Sequence, residues 1–179
     1  MENLILGLLL LSNRTIYQLR ERIGKGLNLM YSDSMGSIQA AVKKLLNCGY
    51  IRYEELVDNG KNKKVYSITE SGRQHFLAWI NAPIKEQGFK CPDLVKVYFM
   101  GFAEKENRER SIQNYIKFLK EQFCILDAIC EEAKNTEIPE NGQDLFNYQF
   151  LSALYGKDLF QFNIDWFENI LRKMRADEI

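Results

Sequence analysis

Apolar and polar positions along the first part of the chain follow a helical spacing. Residues 4–11, LILGLLLL, are apolar on nearly every side, which predicts a short helix covered by its own domain or by a partner chain. A second short helix is predicted to begin at a capping box of Thr15 and Gln18 and to end at Gly24 and Gly26. The chain is therefore expected to open with two short helices.

A third helix is predicted over residues 34–47, SMGSIQAAVKKLLN, with Ser34 as its N-cap. Its apolar side chains recur at helical spacing and are expected to point inward: Ile38, Val42, Leu45 and Leu46. Its outer face carries small, hydrogen-bonding and basic residues: Gly36, Ser37, Gln39, Ala40, Lys43, Lys44 and Asn47. Such a face suits a DNA groove, because small residues permit close approach and lysines meet phosphates. An ordinary solvated helix has a similar face, so both interpretations stay open here.

After Gly49 the spacing changes to alternation. Residues 50–57, YIRYEELV, and residues 64–69, KVYSIT, predict two strands joined by a turn, DNGKNK, at residues 58–63. Lys61, Lys63 and Lys64 crowd the tip of this hairpin, where they can follow a phosphate backbone. Thr69 is predicted to cap a further helix. Three helices followed by a basic hairpin form the winged helix-turn-helix arrangement, in which the third helix enters the major groove.

Residues 84–179 predict helices only. A short apolar helix precedes a long one over residues 104–135, IPENGQ breaks the pattern, and a final helix runs from about residue 143 to 176. Apolar residues of the long helix repeat at spacings of three and four, which suits helix pairing within or between chains. The sequence therefore predicts a mainly α (α+β) protein with a winged helix-turn-helix domain at 1–83 and an all-helical dimerisation domain at 84–179.

Charge differs between these two halves. The formal net charge of the chain is zero, but residues 1–83 hold 11 Lys and Arg against 7 Asp and Glu, and residues 84–179 hold 13 against 17. A basic first half and an acidic second half suggest two separate roles.

The sequence contains no pattern typical of a catalytic or metal site. The four cysteines, at positions 48, 91, 124 and 130, include no C-x-x-C pair, and His75 is the only histidine. A nucleophile motif and a phosphate-binding loop are also lacking. We therefore expect no metal, no cofactor and no enzymatic activity. The apolar run at residues 4–11 is too short to cross a membrane, so a cytoplasmic protein without a membrane partner is predicted.

The first 80 residues resemble PadR-type transcriptional regulators. LILGLLLLSNRTIYQL is similar to the family's opening LILGLL…GYEI, with Tyr17 at the motif's tyrosine. GSIQAAVKKLLNCGYI resembles the family's recognition-helix pattern, and KKVYSITESGRQHFLAWI resembles its wing and the helix after it. Gln39 and Ala40 stand where the family usually has Tyr-Pro, and Met35 stands where a proline often follows the capping serine. The chain length and DLVKVYFMGFAEKE resemble the longer form of the family, related to the virulence activator AphA.

The resemblance implies a homodimeric repressor that binds a pseudo-palindromic promoter site in double-stranded DNA. The residues predicted to contact DNA are Tyr17, Ser34, Gly36, Ser37, Gln39, Ala40, Lys43, Lys44, Lys61, Lys63, Lys64 and Tyr66. The residues predicted to form the dimer are Leu4, Leu8, Ile112, Ile116, Leu119, Phe123, Leu126, Phe160, Trp166 and Phe167.

Two alternatives stay open. The winged helix can have become a protein-interaction module that no longer binds DNA. The aromatic residues of the second half can be plain core, or they can line a pocket for a small aromatic effector.

Overall fold

The structure, a computed structural model, describes residues 1–25, 27, 31–58, 61–84 and 94–179. The chain divides into two compact units, Met1–Gln87 (unit 1) and Gly88–Ile179 (unit 2). The elements of unit 1 are α1 (Glu2–Leu11), α2 (Ile16–Gly24), α3 (Met35–Asn47), β1 (Ile51–Asp58), β2 (Lys61–Ile68) and α4 (Glu70–Asn81). The elements of unit 2 are α5 (Leu94–Tyr98), a 3₁₀ helix (Met100–Phe102), α6 (Lys105–Lys134), a 3₁₀ helix (Glu140–Gly142) and α7 (Gln143–Arg175).

Three side chains cap helices of unit 1 where the sequence predicts them. The Thr15 hydroxyl accepts a hydrogen bond from Gln18 N at 3.2 Å, and the Gln18 side chain accepts one from Thr15 N at 2.8 Å, which completes the capping box. Ser34 accepts from Ser37 N at 3.3 Å, and Thr69 accepts from Gly72 N at 3.1 Å. Each cap satisfies a backbone donor that the helix cannot satisfy itself, and is worth about 1 kcal/mol.

The core of unit 1 is built on α1. Ile5 and Leu6 are fully buried, which explains why a helix this apolar occurs in the chain: the unit's own elements cover it. The buried residues of this core are Ile5, Leu6, Leu8, Leu9, Leu19, Ile23, Ile38, Ala41, Val42, Leu45, Ile51 and Tyr66. Leu8 is thus part of this core and is not available to a second chain, whereas Leu4 packs against the core and is only half-buried.

The hairpin has a longer ladder than predicted. β1 and β2 are antiparallel, and pairing continues from Ile51 opposite Ile68 to Asp58 opposite Lys61. Only two residues separate the strands, so the six-residue turn predicted at 58–63 is wrong. The ladder continues through Leu56 opposite Lys63 to the end of both strands, because cross-strand contacts, and not hydrophobicity alone, stabilise a ribbon.

Helix α4 is fixed against the joint between α3 and β1. The Thr69 hydroxyl donates to Gly49 O at 2.7 Å, and the Ser71 hydroxyl donates to the same oxygen at 3.1 Å. Thr69 N also donates to Tyr50 O at 3.0 Å. Gly49 has a φ of +69°, in the left-handed region that favours glycine, and this turns the chain directly from α3 into the strand.

Unit 2 is built from the two long helices. Lys120, at the middle of α6, pairs with Glu168 in the last third of α7 at 2.6 Å, and Lys157, just before the middle of α7, pairs with Asp127 in the last third of α6. Later positions of α6 thus meet earlier positions of α7, so the two helices run antiparallel. Their shared core contains the buried residues Ile112, Ile116, Leu119, Ile164, Phe167 and Met174.

This packing corrects the predicted dimer residues of unit 2. Ile112, Ile116, Leu119, Leu126 and Phe167 are buried, and the remaining three pack against the core of unit 2 or lie half-buried on it: Phe123, Phe160 and Trp166. An apolar stripe shows that a helix face is covered but not by what, and here α7 of the same chain covers the stripe of α6. The five buried residues are therefore not available to a second chain, whereas Phe123, Phe160 and Trp166 keep part of their surface exposed. Among the described helices, none is long and apolar enough to cross a membrane.

Candidate nucleic-acid interface

Helix α3 presents a face made mainly of small residues. Gly36, Ser37, Gln39 and Ala40 are exposed, and the apolar positions that alternate with them are buried in the core of unit 1. Ser34 is exposed too, but its oxygen is engaged in capping α3, and its hydroxyl lies 3.2 Å from that of Ser37. Gln39 is therefore the longest hydrogen-bonding side chain at the start of this face, and the one best suited to reach a base edge.

Two lysines lie farther along the same helix. Lys43 is exposed and makes no ion pair with any residue that the structure describes. Lys44 Nζ lies 3.0 Å from Glu2 Oε1, and the hydrogen bond and charge of Glu2 raise the pKa of Lys44. Of the two lysines, only Lys43 can meet a phosphate without first leaving a partner.

The wing, which is the hairpin formed by β1 and β2, carries a second group of basic residues. Lys64 Nζ lies 4.2 Å from the ring centroid of Tyr53 and 3.5 Å from Glu55 Oε1. Tyr53 contributes most, and Glu55 less, to raising the pKa of Lys64. Tyr53 and Glu55 are two residues apart on β1, so their side chains project from the same face of the hairpin. Lys64 lies opposite Glu55 on β2 and projects from that face too.

A groove of about 930 Å³ joins the wing to the start of α2. Tyr17 of α2, which is 68% exposed, lies along this groove with Lys63 and Lys64 of the wing. The two sides are held together by paired backbone hydrogen bonds between Arg14 and Tyr66, at 3.1 and 2.9 Å. A basic groove beside the first turn of a helix can hold a phosphate backbone, because the free N–H groups and the lysines both favour anions.

Two predicted DNA contacts are not placed on this surface. Tyr66 is only 5% exposed and packs against Tyr53 with ring centroids 5.8 Å apart, so its side chain belongs to the core. Burial also raises the pKa of Tyr66. The backbone of Lys61 lies in β2, but its side chain falls outside the described part of the chain. The other ten predicted residues are exposed.

Sequence reasoning missed the partners of the lysines. Glu2 and Glu55 appear in the sequence as ordinary surface acids, and Tyr53 as a strand residue. The register of the hairpin was the signal that could have found Glu55 and Tyr53, because it puts them on the same face as Lys64. No sequence pattern indicates the contact of Glu2 with Lys44, which depends on how α1 packs on α3.

The residues that bear on metal chemistry are scattered. Within the ranges that the structure describes, no group of three or more His, Cys, Asp or Glu side chains lies close enough to hold a metal ion. His75 stacks on Tyr50 with ring centroids 4.5 Å apart, which gives it a packing role in unit 1. Cys48 and Cys124 are exposed free thiols, and Cys130 is a buried one.

The chain is similar along its length to a known regulator. It is 23% identical over 178 residues to the negative transcriptional regulator PadR of Bacillus subtilis, which covers 97% of this chain and 96% of the relative. No protein-family model matches the chain.

Solved structures resemble it over the same span. The crystal structure of Bacillus subtilis PadR in complex with operator DNA has a TM-score of 0.76 at 22% identity, covering 97% of this chain and 98% of that one. The same protein in complex with p-coumaric acid has a TM-score of 0.68 at 22% identity, covering 97% and 94%.

Two further structures come from other bacteria. The protein smu.1604c from Streptococcus mutans UA159 has a TM-score of 0.81 at 24% identity, covering 96% of this chain and 98% of that one. The Vibrio cholerae virulence activator AphA has a TM-score of 0.72 at 16% identity, covering 98% of each chain. These similarities confirm the predicted fold class, a winged helix followed by a helical region.

Proposed function

The chain is a PadR-like protein in sequence and in fold over nearly its whole length, and on that premise we propose that it is a DNA-binding transcriptional regulator. It acts as a homodimer that occupies a pseudo-palindromic site at a promoter, its own or a neighbour's, and blocks polymerase. The observation that carries the proposal is the surface formed by α3, the wing and the groove beside Tyr17. In this arrangement Gln39 faces base edges, while Lys43, Lys63 and Lys64 meet phosphates.

The DNA-binding part is tested by the salt dependence of affinity. Changing both Lys63 and Lys64 to Ala should weaken binding to every sequence. It should also reduce the magnitude of the slope of log affinity against log salt concentration by about 2 per half-site. A matched control changes Lys117 and Lys134, which are exposed on α6 of unit 2, and removes the same charge. Equal effects of the two double changes would mean that only net charge matters and that the wing does not contact DNA.

The dimer is supported by an uncovered apolar stripe on α7. Leu145, Tyr148, Leu151, Tyr155 and Phe162 recur at helical spacing and are all exposed, with Tyr148 72% exposed. α6 has a shorter set of the same kind: Phe118, Ile125 and Ile129. Large apolar side chains in such numbers are typical of an interface and not of free surface. A two-fold symmetric dimer also presents two α3 helices to the two halves of a palindrome.

The dimer is tested by placing a charge on this stripe. Tyr148→Lys should convert the dimer to a monomer in analytical ultracentrifugation, because two copies of the lysine would be buried near each other at the interface. Gln149→Lys is the control, since Gln149 is the next residue on α7, is exposed, and lies about 100° around the helix. Dissociation by both changes, or by neither, would remove the stripe from the interface.

A small aromatic effector is proposed to bind in unit 2. A cavity of about 600 Å³ between α5, α6 and α7 has an apolar wall that includes Tyr115, Phe118 and Phe167. Lys96 and Arg110 also line it, and neither makes an ion pair within the described residues. An apolar wall with two available cations suits a planar molecule that carries a carboxylate. The complex of Bacillus subtilis PadR with p-coumaric acid supports a ligand of this kind.

The effector proposal is tested by thermal shift without DNA. p-Coumaric acid should raise the melting temperature of the chain, and its neutral amide should not, because the amide lacks the charge that Arg110 would meet. Arg110→Gln should abolish the shift, whereas Lys117→Gln, outside the cavity, should leave it intact. Equal shifts with the acid and the amide would show that the two cations do not select the ligand.

A further inference from the structure

Two of the lysines that face DNA are already held by carboxylates of this chain. Lys64 Nζ lies 3.5 Å from Glu55, and Lys44 Nζ lies 3.0 Å from Glu2. Both pairs are on the exposed surface, where a phosphate can reach the lysine. Each lysine therefore has to leave, or share, an acidic partner before it can neutralise a phosphate.

Glu55 is fixed in place by the wing itself. It lies directly opposite Lys64 in the ladder, and Tyr53 on the same face lies opposite Tyr66, which is anchored in the core. The ladder fixes the backbone of Glu55 opposite that of Lys64, so the carboxylate remains within reach of Lys64 when the lysine approaches the DNA backbone. Glu2 is similarly fixed in the first turn of α1, whose next residues are part of the core of unit 1.

We propose that Glu55 and Glu2 are competitors of the DNA phosphates that lower the affinity of the protein for all DNA sequences alike. This inference rests on the proposed DNA binding. The inference adds to the proposed DNA binding that these two acidic residues limit the strength of the phosphate contacts at α3 and the wing.

Binding to DNA exchanges the partners of Lys64 and Glu55. When Lys64 meets a phosphate, the carboxylate of Glu55 loses its cation and lies near a second negative charge. It then recruits a cation from solution, which opposes the release of counterions from DNA that drives binding. Removing the carboxylate should therefore raise affinity and make its salt dependence steeper.

Weak phosphate contacts have a consequence for selectivity. Contacts to the backbone carry no sequence information, so they strengthen binding to random DNA as much as binding to the operator. By lowering this common contribution, Glu55 and Glu2 keep the protein from being held on non-specific DNA. The base contacts of α3 then contribute a larger share of the binding free energy.

The experiment compares Glu55→Gln with Glu54→Gln in the full-length chain. Glu54 is exposed on the same strand, pairs with Val65 and projects from the opposite face of the hairpin. Its replacement removes the same charge as the replacement of Glu55, but not beside Lys64. Affinity for fluorescein-labelled DNA is measured by anisotropy, with the region upstream of the gene and with random DNA, at about 50 and about 200 mM NaCl. Circular dichroism melting confirms that both variants fold.

Glu55→Gln is expected to tighten binding about two- to fivefold per half-site, the range for an exposed ion pair, and so about four- to twenty-fivefold for a dimer. The gain should be the same on both DNAs and smaller at the higher salt concentration. Glu2→Gln should give a similar gain through Lys44. The change in log Kd caused by Glu54→Gln should be less than half of the change caused by Glu55→Gln.

Three results would overturn the proposal. Equal gains for Glu54→Gln and Glu55→Gln would show a general charge effect. Weaker binding by Glu55→Gln would show that Glu55 orients Lys64 for DNA instead of competing with it. A gain confined to the upstream DNA would contradict a contribution common to all sequences. Failure of the unaltered protein to bind any DNA would instead refute the proposed function on which this inference rests.

Discussion

Replacement of Gly72 by Ala should destabilise unit 1, although alanine normally stabilises a helix. Gly72 is the third residue of α4 and is buried against the joint between α3 and β1. A Cβ atom at this position would lie 2.0 Å from Tyr50 O and 2.8 Å from Tyr50 C. Real Cβ atoms essentially never approach closer than 3.0 Å, so α4 would have to move by about 1 Å.

The size of the effect follows from what such a movement breaks. Thr69 and Ser71 bind Gly49 and Tyr50 through three hydrogen bonds of 2.7–3.1 Å, which a shift of this size would lengthen beyond bonding distance. Overpacking costs about 1–3 kcal/mol, and each lost hydrogen bond about 1 kcal/mol. The helix propensity of alanine returns only about 1 kcal/mol. We expect the free energy of unfolding of unit 1 to fall by about 3–5 kcal/mol.

Urea unfolding followed by the fluorescence of Trp79 measures this change. Trp79 is in α4, and a Trp166→Phe background removes the other tryptophan, so the signal reports unit 1 alone. At a slope of about 1–2 kcal/mol per molar urea, the midpoint should fall by about 1.5–5 M. Gly36→Ala is the control, because only Ser34 Oγ lies near its Cβ, at 4.0 Å, and the change should stabilise α3. If Gly72→Ala unfolds at the same urea concentration as the unaltered protein, the close approach of α4 to Tyr50 is wrong.

Three further predictions concern the site and the ends of helices. Gln39→Ala should change which DNA sequence is preferred, as measured by selection from a random library, and equal loss on specific and random DNA would remove its base-reading role. Thr15→Val breaks the capping box at the groove and should lower the free energy of unfolding by about 1 kcal/mol in urea titrations; an unchanged value would show that the cap contributes nothing. Lys105 lowers the pKa of Asp177 from its ordinary 3.8, so their pair stabilises the fold above that pH and stops doing so as pH falls below it. Asp177→Asn should therefore reduce the melting temperature at pH 7 but not at pH 2, and equal reductions at both would contradict the ion pair.

The local signals in the sequence predicted much of unit 1. Ser34, Thr69 and the Thr15–Gln18 box mark helix starts because each depends on neighbours three residues away, and all three caps are present. The outer face of α3 was equally predictable, since helical spacing separates exposed from buried positions regardless of what the helix packs against.

What depends on distant residues could not be predicted in the same way. The apolar stripe of α6 was compatible with a partner in the same chain or in a second copy, and only the fold shows that α7 covers it. The burial of Tyr66 and the pairing of Lys44 with Glu2 likewise follow from packing between elements far apart in sequence. Gln39 and Ala40 show a further limit: the surface is visible in the sequence, but the DNA sequence it would recognise is not.

DNA binding is decided by measuring the affinity of the full-length protein for the DNA upstream of its own gene and for random DNA of equal length, at two salt concentrations. We predict a selective complex whose affinity falls steeply as salt rises, because Lys43, Lys63 and Lys64 displace counterions from the DNA backbone. Absence of any complex at low salt, with the protein folded and dimeric, would contradict this prediction. The surface around Gln39 and the wing would then be that of a protein-interaction module.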